Sequence, residues 1–273
     1  MRSHRWYFLL SLLAAGVMGP LQAQAAVILS TTSYSESFDE PKLSDTSVTP
    51  RWNGLTQAAV PGTSGWDGVR VGGTGTAGMN YSVNDGASNS GAIYSYGATA
   101  STERALGSVA SGTNIGAVGV ELNNQIGAAI TQVTISYTGE FWRSSTTTQN
   151  VLTFGYSIGA SGSATYLSDA ATSVAALNLV GPASVAANGA LNGNVAPNRA
   201  AFMATFDVAV PSGQSLYLRW QDTNDGGNDA GLAIDNFQLT ATAVSVPEPS
   251  ALVACALGLI GLSISGLRRR LCI

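Results

Sequence analysis

Histidine and cysteine are nearly missing from this 273-residue sequence. The one histidine is His4, and the two cysteines are Cys255 and Cys272, so the stretch from 27 to 246 holds neither. Disulfides within that stretch are excluded, although an oxidising compartment would permit them. Ser-His-Asp and Cys-His catalysis are excluded too, as are zinc sites built on imidazole or thiolate. Charge is scarce, at 10% of residues. The same stretch carries seven basic and fifteen acidic side chains, a net charge near minus eight. Nucleic acid is therefore no partner, because affinity for phosphates comes from clustered Lys and Arg. Helical periodicity is almost absent as well, and solubility rests on Ser, Thr, Asn and Gly.

The two ends differ from the middle. At the start, Arg2 and Arg5 precede a short apolar run at 8–17, and Ala23-Gln24-Ala25 supplies a small-x-small cleavage pattern. This predicts a signal peptide over 1–25, cut by signal peptidase; the run is short of the roughly 20 residues a membrane span needs. At the far end, residues 250–267 are uncharged and rich in Ala, Leu, Ile and Gly. Eighteen helical residues reach about 27 Å, enough for a bilayer core. Arg268, Arg269 and Arg270 follow at once and form a cytoplasmic basic anchor by the positive-inside rule, which puts everything before Pro247 outside. The expected domains are the signal peptide, an ectodomain over 26–243 and a sorting and membrane segment over 244–273.

Between the ends, period-two alternation recurs. "TQVTISYTGEFW" sets Val133, Ile135, Tyr137 and Phe141 on one face; "AFMATFDVAV" sets Phe202, Ala204, Phe206, Val208 and Val210 against Met203, Thr205 and Asp207. "SLYLRWQD" and "QNVLTFGYSIG" do the same with Leu216, Leu218, Trp220 and with Leu152, Phe154, Tyr156, Ile158. Gly-, Asn- and Pro-rich turns separate these runs. One-sided alternation over ten or more short strands predicts an all-β fold, a single antiparallel β-sandwich. Residues 170–198, rich in Ala, Ser and Asn, read as a long excursion or an irregular edge.

The richest polar stretch is "WQDTNDGGNDAGLAIDNFQLTA", with Asp222, Asp225, Asp229 and Asp235. Hard oxygen ligands suit Ca²⁺, yet the spacing matches no EF-hand, and Asp and Asn also fill turns for their own reasons. Asp235 differs. The apolar face switches between Ile234 and Phe237, which predicts a β-bulge at Asp235-Asn236. Asp235 shares the parity of Phe237 and Leu239, so it is expected to point inward, where a carboxylate needs a partner. An arginine, backbone N–H groups or a cation could serve, and the sharpest of these readings is a structural Ca²⁺ held by Asp235 with Glu36, Asp39 and Glu40 of "YSESFDE". Trp142 falls out of phase with Phe141, which leaves two readings: exposure beside Glu140 and Arg143, where an aromatic ring could stack on a sugar, or core or rim packing. Glycoside hydrolysis needs only two carboxylates, and Glu121, Glu140 and the Asp cluster are available, but no spacing pairs any two. The chain reads as a non-enzyme.

"VPEPSALVACALGLIGLSISGLRRR" resembles the PEP-CTERM sorting signal of Gram-negative bacteria, also described as an ice-binding-protein-like C-terminal motif. The match lies in Val246-Pro247-Glu248-Pro249, the apolar span and the three arginines. The resemblance implies an exosortase-type membrane transpeptidase as partner, transient anchoring in the inner membrane with a periplasmic ectodomain, and a final place at the cell surface or outside the cell. It also implies association with exopolysaccharide. "YSESFDE" and "GLAIDNFQLTA" look like the first and last strands of jelly-roll, concanavalin- or MAM-like sandwiches, which lie side by side in such folds. The expected function is structural or adhesive, within an extracellular polysaccharide matrix. A specific glycan-binding module is the alternative, and a glycan-active hydrolase stands behind both.

Overall fold

The computed structural model describes residues 26–39, 51–52, 57–61, 63–76, 78–145, 149–181 and 188–244, with residues 51 and 52 as backbone only. The signal segment, Glu40, the motif Val246-Pro247-Glu248-Pro249, the apolar run at 250–267 and the three arginines lie outside the described residues. Seventeen strands are present among the described residues, with one 3₁₀ turn at Ala175–Leu177. They are β1 (Val27–Leu29), β2 (Ser33–Glu36), β3 (Arg51–Trp52), β4 (Ala58–Ala59), β5 (Trp66–Gly72), β6 (Met79–Asn84), β7 (Ala92–Tyr96), β8 (Ala105–Val109) and β9 (Ile115–Asn124). The remainder are β10 (Ala129–Ser144), β11 (Val151–Ala160), β12 (Thr172–Ser173), β13 (Leu179–Val180), β14 (Gly189–Ala190), β15 (Arg199–Val210), β16 (Gln214–Gln221) and β17 (Gly231–Val244).

These strands form two sheets, so the chain is all-β. The first runs β12-β11-β16-β9-β5-β4, with β1 beside β9 and β13 beside β11. The second runs β14-β10-β17-β8-β7-β6-β3, with β15 beside β10 and β2 beside β17. Pairing is mostly antiparallel. The β1–β9 and β6–β7 pairs are parallel, which corrects the purely antiparallel expectation. Strand β2 of "YSESFDE" lies against β17 of "GLAIDNFQLTA", as the resemblance implied. The excursion at 170–198 leaves the edge of the first sheet at β12 and β13 and reaches the second at β14. Among the described residues no helix is long and apolar enough to cross a membrane.

The core lies between the sheets and is aromatic at its centre. Trp66 stacks on Trp220 at 5.8 Å, and Phe237 meets both edge-on at 5.4 and 5.8 Å. Phe38, Phe154 and Tyr137 complete the cluster at centroid distances of 4.8 to 5.6 Å. Such large, interlocked rings account for much of the burial that a disulfide-free domain needs; truncating one to Ala typically costs about 3–5 kcal/mol.

Both outer sheet faces are partly covered. On the first sheet, Tyr166 and Leu167 of the 161–170 loop pack on Val69, Ala117 and Tyr217. On the second, Trp142, Tyr96, Tyr94 and Ala233 form a smaller cluster. The 188–194 segment lies over it, fixed by the Leu191 N–H donating to the Trp142 carbonyl at 2.7 Å. Gly193 sits against the indole, since a Cβ there would stand 2.4 Å from Trp142 Nε1. Among the described residues nothing covers the rest of this outer face, toward β2 and β15, where Ser33, Ser35, Gln238 and Thr240 are exposed.

Candidate functional site

The register of β10 on β17 decides which acidic side chains meet. Thr138 opposes Asp235, Gly139 opposes Ile234 and Glu140 opposes Ala233. Glu140 and Asp235 are therefore diagonal neighbours on one face of the sheet. That face is the outer one, because Val133, Ile135 and Tyr137 of β10 and Leu232 and Ile234 of β17 fill the core. Beyond Asp235 the register slips by one residue between Ser136 and Thr138, and Asn236 adopts φ +49°. This is the bulge expected from the phase switch. Its consequence for Asp235 differs from the expectation: the slip lies after Asp235, so Asp235 keeps the phase of Ala233 and points out of the sandwich. It is nevertheless buried, at 1% exposure, because the outer face is covered here.

Glu103, from the turn entering β8, completes a trio. One carboxylate oxygen from each of Glu103, Glu140 and Asp235 lies within 4.8 Å of the others. Asp235 accepts from the backbone and side-chain N–H groups of Asn236, both at 2.6 Å. Glu103 accepts from Asn194 Nδ2 of the covering segment. Glu140 is fully buried; its Oε2 accepts from Trp142 Nε1 at 2.9 Å, whereas its Oε1 accepts no hydrogen bond. The facing cation is Arg199, whose Nη2 stands 3.6 Å from Glu140 and 4.0 Å from Asp235. Arg104, next along from Glu103, spends its donors on Ser95 and Ala98 instead. Three carboxylates thus face one guanidinium at long range.

Burial sets the protonation of this trio. Loss of hydration pushes Glu140 up to about 7, helped by the charges of Glu103 and Asp39 and opposed by the Trp142 N–H and Arg199. Asp235 is pushed up to about 8, by burial first and then by the Glu140 charge. Glu103 is raised by burial against the pull of Asn194. Such a site is satisfied by protons or by a cation bound between the oxygens. Among the described residues Glu140 Oε1 accepts no hydrogen bond and faces Arg199 alone at 3.6 Å, and an all-oxygen donor set is the kind Ca²⁺ takes.

The other anticipated residues fall in separate places. Asp39 lies beside the trio, its Oδ1 accepting the Arg104 backbone N–H at 2.9 Å. Glu36 does not join the trio; its Oε1 accepts the Phe38 N–H at 3.0 Å. Asp222 accepts from Ser108 Oγ at 2.6 Å and from the Thr223 N–H at 2.9 Å, and burial pushes it up to about 7. Asp225 and Asp229 share Asn150, and the Asp225 N–H donates to Asp229 at 3.0 Å. The Asp222, Asp225 and Asp229 group is thus turn architecture, tied to Ser108 and Asn150. Among the described residues the trio is the one set of three acids close enough to hold a metal.

Trp142 is a second correction. Its phase opposite Phe141 is as expected, yet it is only 1% exposed and stacks on Tyr96 at 5.8 Å with planes 8° apart. A ring closed between Tyr96 and Gly193 has no face for a sugar. The carboxylates Glu121 and Glu140 lie on opposite outer faces of the sandwich. Glu121 Oε1 is filled by Ser161, Gly162 and Ser215 donors at 2.7 to 2.9 Å. No acid–base pair spans a common cleft between them. A shallow depression of about 500 Å³, lined by Ser157, Ser161, Asp169 and Tyr217 among others, lies on the first sheet, and none of the trio borders it.

The sequence reading missed Glu103 and missed Glu140 as a partner of Asp235. Only the β10–β17 register and the turn before β8 bring residues 103, 140 and 235 together, and no local spacing encodes that. A weak signal was present for Glu140, which occupies the polar phase of a strand whose apolar phase is unbroken.

Fold and site together define an all-β, two-sheet domain with an acidic trio, two of its members buried and Glu103 half-buried, beside a covering segment. No family model matches the chain, and no curated protein matches its sequence. Among solved structures it is similar to the CBM22-1 xylan-binding domain of Paenibacillus barcinonensis Xyn10C, at 12% identity and TM-score 0.32, over 78% of this chain and 95% of that one. It is also similar to two cleaved adhesin domains of Lys-gingipain. The K2 domain aligns at 12% identity and TM-score 0.35, over 76% of this chain and 97% of that one. The K1 domain, from Porphyromonas gingivalis W83, aligns at 14% identity and TM-score 0.33, over 78% of this chain and all of that one. At these values the likeness carries no argument about fold, ligand or partner.

Proposed function

We propose that this chain is an exported, non-catalytic β-sandwich of the cell surface or extracellular matrix. Its sandwich is of the jelly-roll, concanavalin- or MAM-like type, followed by a membrane helix at 250–267. An exosortase-type transpeptidase recognises Pro247-Glu248-Pro249, and the role is structural or adhesive alongside exopolysaccharide. One observation carries the non-catalytic reading: the reactive-looking groups are closed away. Glu140, Asp235 and Trp142 are all at most 1% exposed, and Glu121 is 2% exposed on the opposite face. In the same reading Glu103, Glu140 and Asp235 hold a structural divalent cation, with Ca²⁺ the best fit. The ion would supply the positive charge that Arg199 delivers only at a distance and would tie β8, β10 and β17 together.

A second reading, a specific glycan-binding module, is favoured by the open zone of the second sheet. There Thr134 and Ser136 of β10, Thr205 of β15, Gln238 and Thr240 of β17 and Ser33 and Ser35 of β2 line one outer face. Thr134 and Thr205 already join hydroxyls at 2.7 Å. Hydroxyls and amides without charge suit a polyol ligand in the way that Trp142, being buried, does not.

A glycan array separates the two readings. Saturable binding, lost on Thr134→Lys, supports the module; no binding to any glycan supports the structural role. Mass spectrometry of the surface-extracted protein tests sorting: a C-terminus near Pro249 is expected, and an intact Arg270 refutes it.

A further inference from the structure

The second sheet ends on one side in an unguarded strand. Among the described residues β15 pairs only with β10, and its other edge has no partner strand. Exposed edges are usually blunted by lysine, proline, a bulge or shortness, because free N–H and C=O groups template pairing. The first sheet follows that rule: two-residue strands β12 and β13 cover its β11 edge. β15 does not. It is twelve residues long, with no Lys and no Pro, and Met203 on it is 71% exposed. Its register against β10 is regular from Arg199 to Asp207 and breaks only beyond, toward Val210.

We propose that this edge is a homotypic interface, in which β15 of one copy pairs antiparallel with β15 of a second copy about a two-fold axis at Met203. The nine regular residues are self-complementary in that register. Arg199 falls opposite Asp207, Ala200 opposite Phe206, Ala201 opposite Thr205, and Phe202 opposite Ala204. Partners share parity, as antiparallel pairing requires. On the outer face the ends of the interface are opposite charges: Arg199, whose side chain is 34% exposed, meets exposed Asp207. On the inner face the half-buried rings Phe202 and Phe206 each meet an alanine, so large fits against small. Met203, whose exposure has no use in the isolated chain, meets itself at the axis. The interface would run about 30 Å and join the two second sheets into one. Moving the axis by one residue either way loses both charge pairs and sets Arg199 opposite Thr205 or Ala209.

Single-cysteine cross-linking reads this register directly, using the full chain in detergent with Cys255 and Cys272 replaced by Ser. Met203→Cys places two thiols across one strand pair, about 4.5–5.5 Å between Cα atoms, within disulfide reach. Mild oxidation is expected to convert most of the chain to covalent dimer. Thr205→Cys alone sets its two thiols about 14 Å apart and should not link; Ala201→Cys with Thr205→Cys should. Met203→Lys sets like charges at the axis and should weaken the dimer at least tenfold by sedimentation, with an unchanged melt. The proposal is overturned by a monomer that Met203→Cys fails to link. It is equally overturned by linking of Thr205→Cys as efficient as that of Met203→Cys, or by a dimer that Met203→Lys leaves intact.

Discussion

Chelation and calcium should move the melting temperature of this protein in opposite directions, and the gap should widen with pH. The perturbation acts on the trio of Glu103, Glu140 and Asp235. Glu140 has an ordinary value of 4.5 and is pushed up to about 7 in the fold. In the cation-free protein the native state keeps a proton that the unfolded chain releases. Its stabilising effect is full below pH 4.5 and is lost as pH rises through 7, which is the sign for a raised carboxyl. The difference is worth about 3 kcal/mol, and for a domain of this size each kcal/mol is about 2–4 °C. In EDTA the melt should therefore fall by roughly 6–12 °C between about pH 5 and pH 8, with Asp235, pushed up to about 8, acting in the same direction. A bound cation replaces the proton, and at a hundredfold excess over Kd it restores about 2.7 kcal/mol. Tryptophan fluorescence is a suitable readout, because Trp142 donates to Glu140 itself. Asp235→Asn should abolish the calcium shift. Identical melts in EDTA and calcium at pH 8 would refute the cation; a flat pH profile in EDTA would refute the burial argument beneath it.

Two other outcomes are expected. Asp222 is pushed from 3.8 up to about 7 by burial, so its native carboxyl also holds a proton that is lost as pH rises through 7; Asp222→Asn should stabilise the protein by about 1–4 kcal/mol at pH 8 and little at pH 4, with or without calcium, in urea unfolding. Asn236, at φ +49°, should tolerate Gly within about 1 kcal/mol, whereas Val should cost about 1–3 kcal/mol by the same measurement.

Much of the architecture was legible because alternation reports a face directly. Val133, Ile135, Tyr137, Leu216, Leu218 and Trp220 are all buried in the phase their strands announce. The bulge was legible for the same reason, since a change of phase needs an extra residue. What alternation cannot give is the side on which that extra residue falls. Placing it before Asp235 would send the carboxylate into the core; it falls after, and Asp235 faces out. Alternation is equally blind to what covers an outer face. Trp142 has the phase of a surface residue and is buried by a segment some fifty positions later, whose only hint is the small residue Gly193. Glu103 was invisible because a turn residue has no phase, and the parallel β1–β9 and β6–β7 pairs because short strands do not encode direction.

The bulge also bears on how this sequence can change over time. Asn236 is an extra residue between two stretches that already share a phase: Leu232 and Ile234 before it and Phe237, Leu239 and Ala241 after it all fill the core. Deleting it would set Phe237 opposite Tyr137 and leave every side chain of β17 on its present face. Losing a residue elsewhere in the strand would turn one half inside out. Within β17 this is therefore the position at which the chain can shorten by one residue without exchanging core for surface.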